Sequence, residues 1–162
     1  MKRVFISDCE GPISKNDNAF EITSHFVPDG SKLFTVISKY DDVLADVLKK
    51  PHYRAGCTLK LILPFLKAYD VTDSKMRKFS AQSLVLISNI KDTLRHVRSV
   101  ACAFIVSTSY EHYIRALCHA LGFPYENTYC TKVGIDKYHM SGGEKTKLKE
   151  IAKEILQMPM IE

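Results

Sequence analysis

Ala101-Cys102-Ala103-Phe104-Ile105-Val106 is an uninterrupted apolar run, and it stops at Ser107-Thr108-Ser109. A run this short reads as a strand buried on both faces, the habit of parallel sheets in α/β folds. That segment restricts the rest of the chain, because parallel strands need crossovers and the crossovers are usually helical. Arg3-Val4-Phe5-Ile6-Ser7-Asp8 reads as a second short buried strand, closed by the turn Asp8-Cys9-Glu10-Gly11-Pro12. Asn127 to Val133 reads as a third. Tyr110 to Leu121 is an amphipathic helix with Gly122 as its C-terminal cap. Gly142-Gly143 forms a turn before a helix from Lys145 to Leu156, and Met158-Pro159-Met160-Ile161 reads as the approach to another strand.

The stretch between the first strand and the 101–106 run is far longer than a crossover needs. From Leu33 to Leu48 apolar residues recur at steps of three and four, which predicts a helix over 31–49 stopped by Pro51. Thr58 to Tyr69 is a second helical stretch that Pro64 limits or kinks. Met76 to Val97 continues the helical rhythm, as one helix or two. The expected organisation is an α/β core from 1–14 and 99–162 with a helical cap, 15–98, inserted after the first strand. Ligands of open parallel sheets gather at the C-terminal ends of the strands, so Asp8 and Ser107 should face one crevice.

Composition narrows the function classes. The chain has 162 residues, 46% hydrophobic and 25% charged, as in ordinary globular proteins. No apolar run reaches the about 18 residues of a membrane span. The basic N-terminus meets polar Ser7-Asp8 too soon for a signal peptide, so no membrane partner is expected. Cys9, Cys57, Cys102, Cys118 and Cys130 are scattered, odd in number and without a C-x-x-C pair. They point to a reducing, cytoplasmic setting and to use mostly as buried fillers. The formal charge is +5, with Lys145, Lys147, Lys149 and Lys153 close together. Such a field attracts anionic ligands, although a solvated helix face accounts for these lysines as well. No nucleic-acid-binding signature is present, and the six histidines show no metal-ligand spacing.

With the elements in place, three segments resemble motifs of the haloacid dehalogenase superfamily. Val4-Phe5-Ile6-Ser7-Asp8-Cys9-Glu10-Gly11-Pro12 resembles its first motif, an apolar strand ending in Asp-x-Asp, in an Asp-x-Glu-Gly-Pro form similar to that of a small group of archaeal proteins. Phe104-Ile105-Val106-Ser107 resembles the second. Glu144-Lys145-Thr146-Lys147 resembles the third, with Lys145 in better register and Lys147 in reserve. The fourth, an acidic Gly-Asp-x-x-x-Asp cluster, does not occur before Glu162. The resemblance implies a Rossmannoid parallel sheet flanked by helices, with the helical cap after the first strand. It implies a phosphohydrolase that acts on a small phosphate ester through an aspartyl-phosphate. Asp8 would be the nucleophile and Glu10 the acid/base. Ser107, with Thr108 as the register alternative, would contact phosphate together with the backbone amide of Cys9. Lys145 would neutralise charge, and Mg2+ would be held by Asp8 and Glu10.

Each position has a plainer account. Asp8 suits a turn or a helix cap, and Ser107-Thr108-Ser109 could cap the following helix. Lys145 could be one more lysine on a wet face. Glu10 is one methylene longer than the family's aspartate, and a proton donor must lie within about 3 Å of its target. A site without the fourth motif's acid should bind Mg2+ weakly and turn over slowly. The rival expectation is a non-catalytic domain that binds a phosphate ligand or a protein, and a further one is phosphotransfer to an acceptor other than water. In the family the fourth-motif strand lies beside the first. The first strand's edge is therefore expected to be covered by a homodimer, by a partner strand, or by a continuation of the chain past Glu162.

Overall fold

The computed structural model describes residues 3–159. β1 (Val4–Ser7), β2 (Cys102–Tyr110) and β3 (Thr128–Thr131) form a parallel sheet in the order β1-β2-β3. The helices are α1 (Asn18–Phe26), α2 (Gly30–Asp42), α3 (Thr58–Ala68), α4 (Asp73–Ser83), α5 (Ile90–Val100), α6 (Glu111–Leu121) and α7 (Gly142–Gln157). This is the α/β class expected, and the three expected strands are present. The region of Met160 and Ile161, expected to approach a further strand, lies outside the described residues.

The chain divides into two compact units, 1–18 with 74–133 and 19–73 with 134–162. These bounds differ from a cap over 15–98. In the first unit α5 and α6 pack on β2. Leu94 from α5 and Ile114, Leu117 and Leu121 from α6 close over Ala103 and Ile105. An amphipathic helix goes where its apolar stripe finds cover, and α5 finds it on the sheet. In the second unit α2, α3 and α7 pack on one another.

The 101–106 run is not buried on both faces. Ala103 and Ile105 are buried, but Val106 is 46% exposed, and on the neighbouring strands Val4, Ile6 and Tyr129 are 60%, 65% and 63% exposed. Side chains alternate across a strand, so the helices of this unit cover one face of the sheet and leave an apolar face bare. The cysteines follow suit. Cys9 and Cys118 are buried fillers, Cys57 and Cys130 are half-buried, and Cys102 is exposed.

Several local expectations meet the structure closely. Gly122 ends α6 in the left-handed conformation (φ 63°), its N–H donating to the carbonyls of Cys118 and His119. The helix expected over 31–49 is α2 followed by a π-helical turn over Val43–Val47. α3 runs through Pro64, which lies on its exposed side where water can satisfy the carbonyl left without a donor. The Met76–Val97 stretch is two helices. The link between them carries Val85 and Ile87, which join the loop after β1: Lys15 N–H donates to Val85 O (2.9 Å) and Ile87 N–H to Ile13 O (3.0 Å).

Candidate active site

The first unit brings Asp8, Glu10, Ser107 and Ser109 to the C-terminal ends of β1 and β2. In their parallel register Ser7 lies beside Ile105. Asp8 therefore leaves β1 next to the point where β2 reaches Ser107, and its carboxylate is on an exposed residue. One carboxylate oxygen, Oδ1, accepts the N–H of Cys9 (2.6 Å), and the Ser7 hydroxyl donates to the Asp8 carbonyl (2.8 Å). The backbone then turns sharply at Gly11, whose φ of 99° is open to glycine at little cost. The N–H groups of Ile13 and Ser14 both donate to Cys9 O at 3.0 Å and close the turn. Cys9 itself is fully buried, and burial pushes its thiol up to about 12. It is a core group, and its amide is engaged with the Asp8 carboxylate.

β2 departs from a regular strand near its C-terminal end. It passes from Val106 to Tyr110 while β3 passes only from Tyr129 to Thr131, so Ser107-Thr108-Ser109 forms a bulge. Bulges re-aim side chains. Here Ser107 Oγ donates to Ser109 Oγ (3.0 Å) and accepts the Ser109 N–H (3.2 Å). Thr108 is exposed, and its carbonyl accepts the Thr131 hydroxyl at 2.5 Å.

Glu10 joins the two strand ends. Its Oε1 accepts the N–H of Asn18 (2.9 Å), and its carboxylate also takes a hydrogen bond from the Ser109 side chain. Burial pushes the carboxyl above its ordinary range. The bonds from Asn18 and Ser109 pull it down, and the charges of Asp17 and Asp8 push it up again. The net rise keeps a proton on Glu10 to higher pH than an exposed glutamate would, which suits a proton donor. The hydroxyls of Ser107 and Ser109 and the carboxylate of Glu10 thus form one hydrogen-bonded chain across the ends of β1 and β2.

A polar frame holds this chain in place. Asn16 is buried, its Nδ2 donating to Ser83 O (2.8 Å) and its Oδ1 accepting Val85 N–H (2.7 Å) and Tyr113 O–H (3.1 Å). Asn18, fully buried, donates from Nδ2 to Ser80 Oγ (3.3 Å). A buried amide satisfied on both sides fixes its loop, because losing any one partner leaves a desolvated polar atom.

Lys145 belongs to the second unit. It stands in the first turn of α7, behind a capping box in which Ser141 Oγ accepts Glu144 N–H and Glu144 accepts Ser141 N–H. Its ammonium pairs with Asp70 at 2.5 Å. The reserve lysine, Lys147, pairs with Glu150 at 3.4 Å on an exposed face. Among the described residues no group of three or more His, Cys, Asp or Glu side chains is placed to hold a metal ion. Of the two residues expected to hold Mg2+, Asp8 is exposed, and the Glu10 carboxylate is engaged by Asn18 and Ser109.

From the sequence, Ser109 reads only as a possible helix cap, and Asn16 and Asn18 read as loop residues after the turn that could also contact the cap or a polar substrate. A signal for Ser109 existed. It lies two positions past Ser107, and a hydroxyl at that spacing returns to the same side of an extended strand.

No protein-family model and no curated protein matches the chain. Among solved structures it is similar to the gene product AF1437 from Archaeoglobus fulgidus, with a TM-score of 0.90 and 26% sequence identity. The likeness covers 98% of this chain and 50% of that one, so the chain spans half the length of the structure it matches.

Proposed function

We propose that the chain is a phosphohydrolase of the haloacid dehalogenase type, acting on a small phosphate ester through Asp8. The observation that carries this reading is the carboxylate of Asp8 at the end of β1, beside a hydrogen-bonded Glu10–Ser109–Ser107 chain at the end of β2. A carboxylate oxygen of Asp8 attacks phosphorus, and the bond from phosphorus to the ester oxygen breaks. The leaving oxygen takes a proton from Glu10, whose raised pKa keeps that proton available. Glu10, now a carboxylate, removes a proton from water. The hydroxide attacks the aspartyl-phosphate and releases inorganic phosphate and Asp8. Ser107 Oγ faces the phosphoryl oxygens. Mg2+ would be held by the Asp8 carboxylate and the Glu10 carbonyl and would supply charge neutralisation. A donor set this small predicts slow turnover.

A second reading is favoured by one observation. The Glu10 carboxylate is already committed to Asn18 and Ser109, which suits a domain that binds a phosphate ligand without hydrolysing it. Release of nitrophenol from p-nitrophenyl phosphate with Mg2+ separates the two. Hydrolysis that is slow but measurable, and lost in Asp8→Asn, is the outcome expected of the enzyme. Hydrolysis that survives in Asp8→Asn would contradict the assignment of the nucleophile.

A further inference from the structure

In the second unit the link from Leu48 to Cys57 joins the π-helical turn after α2 to α3, and one buried side chain fastens it. Asp41 is 2% exposed. Its Oδ1 accepts the Tyr53 hydroxyl (2.6 Å), and its Oδ2 accepts the N–H groups of Gly56 (2.9 Å) and Thr58 (3.1 Å) and the Thr58 hydroxyl (2.9 Å). A carboxylate taken out of water is costly unless its oxygens are bonded, and here that bonding goes to this link and the first residue of α3. The link also holds two non-glycine residues in the left-handed region, Lys49 (φ 44°) and His52 (φ 62°), beside Gly56 (φ 95°). Such backbone is uncommon outside glycine and persists where the surroundings impose it. A loop fixed at this cost presents a defined surface, and loops on a rigid scaffold are where recognition gathers.

The groups it presents are of two kinds. Val47, at the end of the π-helical turn, is 72% exposed, and Leu48 beside it is 65% exposed. Lys49, Lys50 and Arg54 follow, all exposed, and no ion pair joins them to an acid among the described residues. No acid occurs from Val47 to Tyr69. Over 39–60 the five cations Lys39, Lys49, Lys50, Arg54 and Lys60 stand against Asp42, Asp46 and the buried Asp41. We propose that this loop docks on an anionic bilayer, Val47 and Leu48 entering the headgroup region while Lys49, Lys50 and Arg54 pair with lipid phosphates. Cations alone suit any polyanion. The aliphatic pair decides for a bilayer, because it gains by leaving water for the acyl boundary. A nucleic-acid strand calls for aromatic rings to stack on its bases, and Tyr53 is spent on Asp41. Neither a membrane span nor a signal peptide, the two features whose lack argued against a membrane partner, is needed for contact at the surface. The inference stands apart from the reading of Asp8.

The test is co-sedimentation of the whole chain with vesicles of phosphatidylcholine containing about a third phosphatidylglycerol, against vesicles of phosphatidylcholine alone. The chain is expected to pellet with the anionic vesicles and to stay in solution with the neutral ones. Lys49→Gln with Lys50→Gln is expected to weaken partition about thirtyfold, and Leu48→Ser is expected to weaken it as well. Lys78→Gln with Lys153→Gln removes the same charge from exposed lysines of α4 and α7 and is expected to leave partition nearly unchanged. Equal losses from the two double variants would show net charge at work rather than this loop and would overturn the proposal. A chain that leaves anionic vesicles bare would overturn it too. So would a single-stranded oligonucleotide that the chain binds through Lys49 and Lys50 while anionic vesicles take up none.

Discussion

At the scale of the residue, Glu10 couples the proposed chemistry to the stability of the fold. Its carboxyl titrates above the ordinary value in the folded chain, chiefly through burial. The folded state therefore keeps this proton to a higher pH than the unfolded state does. The contribution of Glu10 to stability is fully present below the ordinary carboxylate pKa and is lost as pH rises through the raised value. At neutral pH the ionised, half-buried Glu10 is a cost to the fold. Glutamine can still accept from Asn18 N–H and from Ser109 without the charge. Glu10→Gln is expected to stabilise the chain by about 1 kcal/mol at neutral pH and to change little well below the ordinary glutamate range. Urea unfolding at the two pH values checks this, and an equal effect at both would mean that the charge is not the cause. The same substitution removes the proton donor, so a chain more stable but inert is the signature of a residue kept for chemistry.

Among the elements, the positions of the strands were legible because strand burial and strand ends are written in local apolar runs and hydroxyl or glycine stops. The bulge at Ser107-Thr108-Ser109 was not, because it depends on how far β3 advances beside β2. Nor was the pairing of Val85 and Ile87 with the loop after β1. Those β-branched residues were absorbed into a helical rhythm that spans Met76 to Val97, and only a long-range partner distinguishes the two. Asp8, Glu10 and Ser107 stand out in the sequence through motif order, and the register of β1 with β2 sets Asp8 near Ser107 at the strand ends. The ion pair of Lys145 with Asp70 joins residues far apart in sequence and has no local signal. The junction of α1 and α2 was equally hidden. Gly30 opens α2 so close to α1 that a Cβ there would lie 2.0 Å from the Thr23 carbonyl oxygen. Backbone cannot yield as a flexible side chain does, so Gly30→Ala is expected to destabilise the helical unit by about 3 kcal/mol. Thermal unfolding measures it, and a change within error would show that the two helices separate freely.

At the scale of the whole molecule, the sheet is the unfinished part. Among the described residues β1 has a neighbour on one side only, and Val4, Ile6, Val106 and Tyr129 are exposed on the bare face. An apolar strand edge and an apolar sheet face together favour association. The chain is expected to self-associate as its concentration rises, and Ile6→Lys, a change on the exposed face, should shift it towards monomer on gel filtration. A parent chain that stays monomeric at every concentration would show that the bare face does not drive pairing. The proposed chemistry rests on Asp8, and the most direct measurement is beryllofluoride capture, which mimics the aspartyl-phosphate. With Mg2+ and beryllofluoride, ¹⁹F resonance is expected to show one bound species that requires Mg2+ and is lost in Asp8→Asn. A bound species that persists in Asp8→Asn, or none in the parent chain, would contradict the account.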